Sequence, residues 1–333
     1  MLLALQFVLC TGVIVFSGSR LSRYGDAIAE MTGMGRTWVG VVLMAAATSL
    51  PELVTGISSV AVYDLPDIAA GDVFGSCVVN LVILAFLDIG RKASPISAVA
   101  HQGQVMAAAF GVLMLTMGAM TIIAPALMPQ VAWVGLTSVI VLCVYAIAMR
   151  LVFTYEKRRI AEYLGERAEQ PAHGRRHSAR FVYGNFALHA LIIMIAAAYL
   201  PLVAARIAAL TGLGDTYVGT ILVAAATSLP EVVVSREALK MGAVDLAVGN
   251  VLGSNLFNMA ILSLDDVAYL RGPLLERVSM SHAVTALAAI IMTAIMIISL
   301  IYRSRQRVLY VPWSSLSILF VYGALVVLLY RGR

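Results

Sequence analysis

Apolar residues run along this chain in long blocks that short polar stretches separate. Blocks of roughly 20 apolar residues, the length of one helical crossing of a ~30 Å hydrocarbon core, occur ten times. The predicted spans cover residues 2–19, 37–61, 67–88, 102–122, 130–152, 182–206, 216–239, 245–264, 280–302 and 312–330. These blocks are too long and too uniformly apolar for barrel strands, and backbone groups in lipid must be hydrogen-bonded internally. The pattern therefore predicts an all-α integral membrane protein with ten transmembrane helices.

The composition and the charge distribution agree with this prediction. Hydrophobic residues make up 61% of the chain and charged residues only 12%, which excludes a water-soluble protein of this size. The net charge of +5 does not indicate a nucleic-acid partner, because Lys and Arg concentrate at the ends of the apolar blocks. Of these 23 residues, 17 fall in, or at the edge of, the loops after odd-numbered spans. Basic loops stay cytoplasmic, so we expect a plasma (inner) membrane protein with loop 154–181 inside and both termini outside.

A duplicated motif is the clearest internal signal. The run AAATSLPE occurs at residues 45–52 and again at 224–231. A second block of matches follows each copy: Asp67, Ala69, Gly71, Gly75, Ser76 and Asn80 correspond to Asp245, Ala247, Gly249, Gly253, Ser254 and Asn258. The repeated units are residues 38–81 and 217–259. A duplicated packing motif in another class of membrane protein is the alternative, but the repeat includes polar residues as well as small ones.

The position of the two copies predicts the domain organisation. They fall on spans 2 and 3 and on spans 7 and 8, so the repeating unit is five helices. Because five is odd, the two halves enter the membrane from opposite sides and are related by a pseudo-two-fold axis in the membrane plane. We expect a first five-helix repeat at residues 1–153, a cytoplasmic loop at 154–181 and a second repeat at 182–333.

The repeated prolines and glutamates predict a cation site. Pro51 and Pro230 lack an amide hydrogen and crowd the carbonyl four residues earlier, so each helix should bend at mid-membrane and free a carbonyl. The Thr and Ser just before Glu52 and Glu231 lie near the same helical face as the carboxylate. A carboxylate at the bilayer centre costs several kcal/mol unless it is paired. Two of them in matching places therefore imply a bound cation or a proton.

The partner helices add further oxygen atoms. Ser76 and Asn80 are four residues apart, as are Ser254 and Asn258, and each pair presents a hydroxyl and an amide on one helical face. Nearby glycines are expected to let the backbones approach closely. Carboxylate, hydroxyl, amide and carbonyl oxygens suit Ca2+, which takes six to eight oxygen ligands, and also Na+. No cofactor is predicted.

At these two blocks the sequence resembles the sodium/calcium exchanger superfamily, whose repeats carry a T-S-L-P-E helix followed by a G-N-x-x-G-S-N-x-x-N helix. The resemblance implies an antiporter that exchanges Na+ for Ca2+ by alternating access at a midplane site. It implies backbone carbonyls from the alanine triplets, such as those of Ala45 and Ala224. The implied side-chain ligands are Thr48, Ser49, Glu52, Ser76, Asn80, Thr227, Ser228, Glu231, Ser254 and Asn258.

The first copy departs from the family pattern. Asp72 and Cys77 stand where the second copy has Asn250 and Asn255. Asp72 lies on the same helical stripe as Ser76, so it either adds a third carboxylate near the cavity or is a solvated or hydrogen-bonded residue toward the outer mouth. Both interpretations stay open at this stage.

Two polar residues inside the seventh span, Arg236 and Glu237, are unusual. We interpret them as snorkelling to the cytoplasmic interface near Lys240, with a gating role as the alternative.

Two other functions compete with Na+/Ca2+ exchange. A Ca2+/H+ antiporter is chemically close, because a buried Glu can exchange a proton for a metal ion. The G-N-x-x-E-H motif of the resembling proton-coupled branch is, however, absent. An intramembrane enzyme with Glu52 and Glu231 as acid and base is disfavoured, because H-E-x-x-H and G-x-S-x-G motifs are also absent. The expected partners are Ca2+, Na+ or H+ and membrane lipid, with no obligatory protein partner.

Overall fold

A computed structural model describes most of the chain, at residues 2–32, 48–91, 94–100, 103–164, 178–240, 242, 244–303, 307–308 and 311–332. Some predicted features lie outside the described residues. These are the first part of the second span at 37–47, which includes the Ala45 carbonyl, and residues 165–177 of the predicted cytoplasmic loop.

The described chain is mostly helical. Its longer helices are α1 (Leu2–Thr32), α2 (Leu50–Ala61), α3 (Pro66–Ile89), α4 (Gly103–Ile123), α5 (Leu136–Leu164), α6 (Ala179–Thr211), α7 (Asp215–Thr227), α8 (Leu229–Lys240), α9 (Val244–Ala268), α10 (Ser281–Tyr302) and α11 (Trp313–Arg331). A π-helical stretch, Val218–Val223, interrupts α7. Short helical turns lie at Ile96–Val99, Pro125–Leu127 and Leu274–Glu276.

Seven of these helices are long and apolar enough to cross a membrane, or eight if the bent pair α7 and α8 forms one span. Two further apolar helices, Leu50–Ala61 and Leu136–Val152, are shorter. The helical membrane architecture predicted from the apolar blocks is confirmed at this level.

Several predicted boundaries are wrong. Helix α5 continues past residue 152 to Leu164, and α6 extends beyond 182–206 at both ends. Helix α1 continues to Thr32, so Arg20 and Arg23 lie within a helix and not in a loop after residue 19. The fifth helix begins at Leu136 and not at residue 130, because strands β1 (Gln130–Val131) and β2 (Val134–Gly135) form an antiparallel hairpin before it. Ala132 in its turn has a φ of 57°, the left-handed conformation that tight hairpin turns need.

The same local structures occur in both halves of the chain. A second hairpin, β3 (Arg307–Val308) and β4 (Val311–Pro312), precedes α11 just as the first precedes α5. Both hairpins lead directly into a long apolar helix.

One carboxylate near the end of α3 and one near the end of α9 make equivalent contacts. Asp88 Oδ1 accepts a hydrogen bond from the Ile96 amide at 2.6 Å, and Asp266 Oδ1 accepts one from the Leu274 amide at 2.6 Å. Donor and acceptor are therefore the same number of residues apart in the two halves. Asp88 and Asp266 lie outside the duplicated motif, so this contact is a further likeness between the halves.

The apolar core of the described residues has two main parts. The larger part joins α3, α4, α9 and α10, with Phe74, Met114, Leu252 and Met292 fully buried. The smaller part joins α1, α6 and α7, and includes Leu200. Tight packing within these two parts holds α3, α7 and α9, which carry candidate ligands, in fixed positions.

Candidate functional site

The second copy of the motif forms a broken helix. Helix α7 ends at Thr227 and α8 begins at Leu229, with a bend of 42° at Ser228. Pro230 explains the break, because its nitrogen cannot donate to the carbonyl of Ala226. This bend was predicted from the sequence. In the first copy, Ser49 has a similar non-helical backbone, with φ −89° and ψ 10°, and α2 starts at Leu50 just after it.

The two glutamates of the duplicated motif each contact the opposite copy. The Ser228 hydroxyl donates to Glu52 Oε1 at 3.3 Å, and the Ser49 hydroxyl donates to Glu231 Oε1 at 3.4 Å. Thr48 also hydrogen-bonds Glu231. All of these side chains are fully buried. The structure therefore brings both halves of the duplicated motif together around the two carboxylates.

The partner helices reach the same cluster. The Ser254 hydroxyl on α9 donates to Glu231 Oε1 at 3.4 Å. Several buried polar atoms around the carboxylates have no hydrogen-bond partner within the described chain. They are Glu52 Oε2, Glu231 Oε2, Asp72 Oδ2, Ser76 Oγ, Asn80 Oδ1 and both amide atoms of Asn258. Most are oxygen atoms, which are the ligands that hard cations prefer.

Asp72 is part of this buried layer. The Thr227 hydroxyl donates to Asp72 Oδ1 at 2.8 Å, and the Asp72 side chain has no exposed surface. Asp72 is therefore buried and hydrogen-bonded and not solvated. Its role as a third carboxylate near the cavity stays a prediction. Across the described residues, however, no three His, Cys, Asp or Glu side chains are grouped closely enough to hold a metal ion. A cation here would therefore need hydroxyl, amide or carbonyl oxygens beside the carboxylates.

Asn255 is a polar contact residue that the sequence analysis did not place in the site. Asn80 Nδ2 donates to Asn255 Oδ1 at 2.9 Å, and Asn255 Nδ2 donates to the carbonyl of Cys77 at 3.0 Å. These bonds join α3 to α9 where the helices cross. The family motif contains this asparagine, and its replacement by Cys77 in the first copy is the sequence feature that marks the position.

Gly71 and Gly75 let α3 pack closely against α7, as predicted. A methyl group added at Gly71 would lie 2.9 Å from Gly219 Cα, and one added at Gly75 would lie 2.7 Å from Ala224 Cβ. For Gly253, no described atom lies within 4 Å of an added methyl group, so its close approach stays a prediction. The segment that corresponds to Gly219 in the first copy, around residue 40, lies outside the described residues.

Glu237 lies at the protein surface. Its carboxylate forms an ion pair with Lys240 at 2.7 Å, with the two side chains about half exposed. This geometry agrees with snorkelling to an interface.

The comparisons with known proteins place the chain in a family. The model of the family described as sodium/calcium exchanger protein matches residues 2–154 and 181–331, which cover both halves. The chain belongs to the sodium/calcium exchanger family. Its members include exchangers and antiporters, which agrees with the transporter class predicted from the sequence and disfavours an enzyme.

Named relatives and solved structures agree with this assignment. The chain is 34% identical over 140 residues to sodium/calcium exchanger MaX1 of Methanosarcina acetivorans, a match that covers 41% of this chain and 37% of that protein. It is 24% identical to inner membrane protein YrbG of Escherichia coli, covering 75% and 74% of the two chains. A structure of the sodium-calcium exchanger NCX_Mj matches with a TM-score of 0.63 at 21% identity and covers 98% of both chains. That likeness shows that the fold is shared.

Proposed function

We propose that this protein is a secondary antiporter that exchanges Na+ for Ca2+ by alternating access at a site between Glu52 and Glu231. The observation that carries the proposal is the reciprocal contact between the two copies of the motif. Each carboxylate accepts a hydrogen bond from a hydroxyl of the other copy through one oxygen, while its second oxygen has no hydrogen-bond partner among the described residues. A buried carboxylate pair of this kind needs a bound cation or a proton to neutralise it.

The charge of the site supports exchange between the two ions. Two carboxylates are balanced by one divalent ion or by several monovalent ions, but not by both sets together, so Ca2+ and Na+ compete. The side chains proposed as ion ligands are Thr48, Ser49, Glu52, Ser76, Asn80, Thr227, Ser228, Glu231, Ser254 and Asn258, and Asp72 is proposed as a third carboxylate beside them.

The proposed architecture is ten transmembrane helices in two inverted five-helix repeats, at residues 1–153 and 182–333. The repeated hairpins and the equivalent contacts of Asp88 and Asp266 support this division. The distribution of basic residues supports an orientation with both termini outside and loop 154–181 in the cytoplasm. The name of the relative inner membrane protein YrbG supports a plasma (inner) membrane location.

A flux experiment tests the coupling ion. The purified protein is reconstituted in vesicles, and Ca2+ uptake is measured with outward gradients of Na+, K+ and H+ imposed separately. We expect uptake to follow the Na+ gradient and to collapse when Na+ replaces choline outside. Uptake driven by a pH gradient without Na+ would instead favour the Ca2+/H+ alternative.

A substitution at Asp72 tests whether this residue contributes charge to the ion. Asp72→Asn keeps an oxygen that accepts the Thr227 hydrogen bond, so the fold should persist. If the Asp72 carboxylate attracts the ion by its charge, losing that charge should raise the half-saturating Ca2+ concentration by about tenfold, with transport retained. An unchanged Ca2+ dependence would reduce Asp72 to a hydrogen-bond acceptor.

A further inference from the structure

Four buried side chains meet where α3 and α9 cross, and the duplicated motif relates them in pairs. Asn80 on α3 corresponds to Asn258 on α9, and Cys77 on α3 corresponds to Asn255 on α9. The two halves should therefore make the same contacts at this crossing, except where Cys77 stands in place of an asparagine.

A chain of hydrogen bonds fixes the orientation of the Asn80 amide. The carbonyl of Cys77 can only accept, so the amide atom that reaches it at 3.0 Å is Asn255 Nδ2. Asn255 Oδ1 then faces Asn80 and accepts a hydrogen bond from Asn80 Nδ2 at 2.9 Å. The remaining atom, Asn80 Oδ1, is buried and has no hydrogen-bond partner among the described residues. The amide of Asn80 therefore keeps its oxygen, and not its nitrogen, available to a cation.

Cys77 provides only half of the equivalent chain in the opposite direction. Its thiol donates to the carbonyl of Asn255 at 3.8 Å, which corresponds to the contact between Asn255 and the carbonyl of Cys77. A thiol has no amide oxygen, however, and sulfur is a weak acceptor. The Asn258 side chain lies beside this thiol, but neither of its amide atoms makes a hydrogen bond of normal geometry with any described residue. One of the two proposed ligand asparagines is therefore held by its neighbour, and the other is not.

This difference affects ion binding because the two ends of an amide have opposite character. The oxygen attracts a cation, whereas the NH2 group carries only donor hydrogens and repels one. An amide that is not held samples several orientations and loses that freedom when an ion binds, which lowers the affinity. An amide that a hydrogen bond already orients is preorganised, and most of this cost is avoided.

We propose that Asn255 is a positioning residue that keeps the Asn80 oxygen ready for the ion, and that Cys77 leaves Asn258 without this support. The proposal rests on the proposed function, because it takes Asn80 and Asn258 as ion ligands. The site then contains one preorganised and one unsupported amide, and it binds Ca2+ more weakly than a site with two supported amides.

Cys77→Asn supplies the missing acceptor and tests the proposal by a gain in affinity. Asparagine at this position can donate to the carbonyl of Asn255 and accept from Asn258 Nδ2, as Asn255 does in the other half. In vesicles, we expect the half-saturating Ca2+ concentration to fall by about fivefold, the effect of one net hydrogen bond, with the maximal rate changed by less than about twofold. Cys77→Ala is the control, because it removes only the weak thiol contact and should leave the half-saturating concentration unchanged.

Asn255→Cys makes the opposite change. It places in the second half the residue of the first half, so Asn80 loses its support and the half-saturating Ca2+ concentration should rise by about fivefold. When Cys77→Asn and Asn255→Cys are combined, one asparagine is held again, so the Ca2+ dependence should return to that of the unsubstituted protein. A reductant is present throughout, because Asn255→Cys alone places two thiols at the crossing. A role confined to packing predicts instead that both single variants lose thermal stability without a shift in Ca2+ dependence.

A binding measurement separates failure of this proposal from failure of the proposed function. The Ca2+ concentration needed to raise the melting temperature reports binding without any flux. An unchanged Ca2+ requirement in Cys77→Asn and in Asn255→Cys would overturn the positioning role, and Asn255→Cys decides alone if Cys77→Asn does not fold. Absence of Na+-driven Ca2+ uptake by the unsubstituted protein would instead overturn the exchange function, while the shifts in Ca2+ binding would remain.

Discussion

Glu52→Gln and Glu231→Gln are each expected to reduce Na+-driven Ca2+ uptake by about 100-fold or more while the protein stays folded. A unit charge within ~4 Å of an ion contributes about 4 kcal/mol at an effective dielectric constant near 20, so losing one carboxylate removes most of the binding free energy. Glutamine keeps the size of the side chain and can still accept the hydrogen bond from Ser228 or Ser49. Uptake into vesicles measures the effect.

A matched control and a binding measurement separate this result from a folding defect. Glu237→Gln removes a carboxylate that is exposed and paired with Lys240, so its transport should equal that of the unsubstituted protein. Ca2+ should raise the melting temperature of the unsubstituted protein and of Glu237→Gln, because a ligand that binds only the folded state stabilises it. It should not do so for the Glu52 and Glu231 variants. Full transport by both of these variants would remove the two glutamates from the proposed site.

Gly75→Ala is expected to destabilise the protein strongly. The added methyl group would lie 2.7 Å from Ala224 Cβ and would also overlap the backbone at Thr220, so α3 and α7 would have to separate. Overpacking of this kind costs about 1–3 kcal/mol and occasionally more. Because this contact is beside the broken helix, we also expect lower transport. The melting temperature in detergent and the yield of monodisperse protein measure the effect.

Gly111→Ala is the control for this substitution. Gly111 is also in a helix, α4, but no atom of the described residues lies within 4 Å of an added methyl group. Alanine should therefore be neutral or should stabilise the helix by up to about 1 kcal/mol. Equal melting temperatures for the two variants would show that the close contact between α3 and α7 contributes little to stability.

The sequence by itself determined the membrane class, the duplicated motif and the break before Glu231. These features follow from local properties of the chain. Apolar blocks of sufficient length predict helices in lipid, and a proline breaks the helix that contains it, whatever surrounds it. The two glutamates were identified for the same reason, because a carboxylate inside an apolar block is unusual wherever the helix packs.

The tertiary structure alone decided which polar groups meet. Ser228 contacts Glu52 and Ser49 contacts Glu231, although the serine nearest in sequence to each glutamate lies in the same copy of the motif. Asn255 joins the contact between α3 and α9, and Asp265 fits against Gly56 on a helix about 200 residues earlier. Periodicity shows which residues share a helical face, but not which face of another helix lies opposite. That choice depends on packing between segments that are distant in sequence.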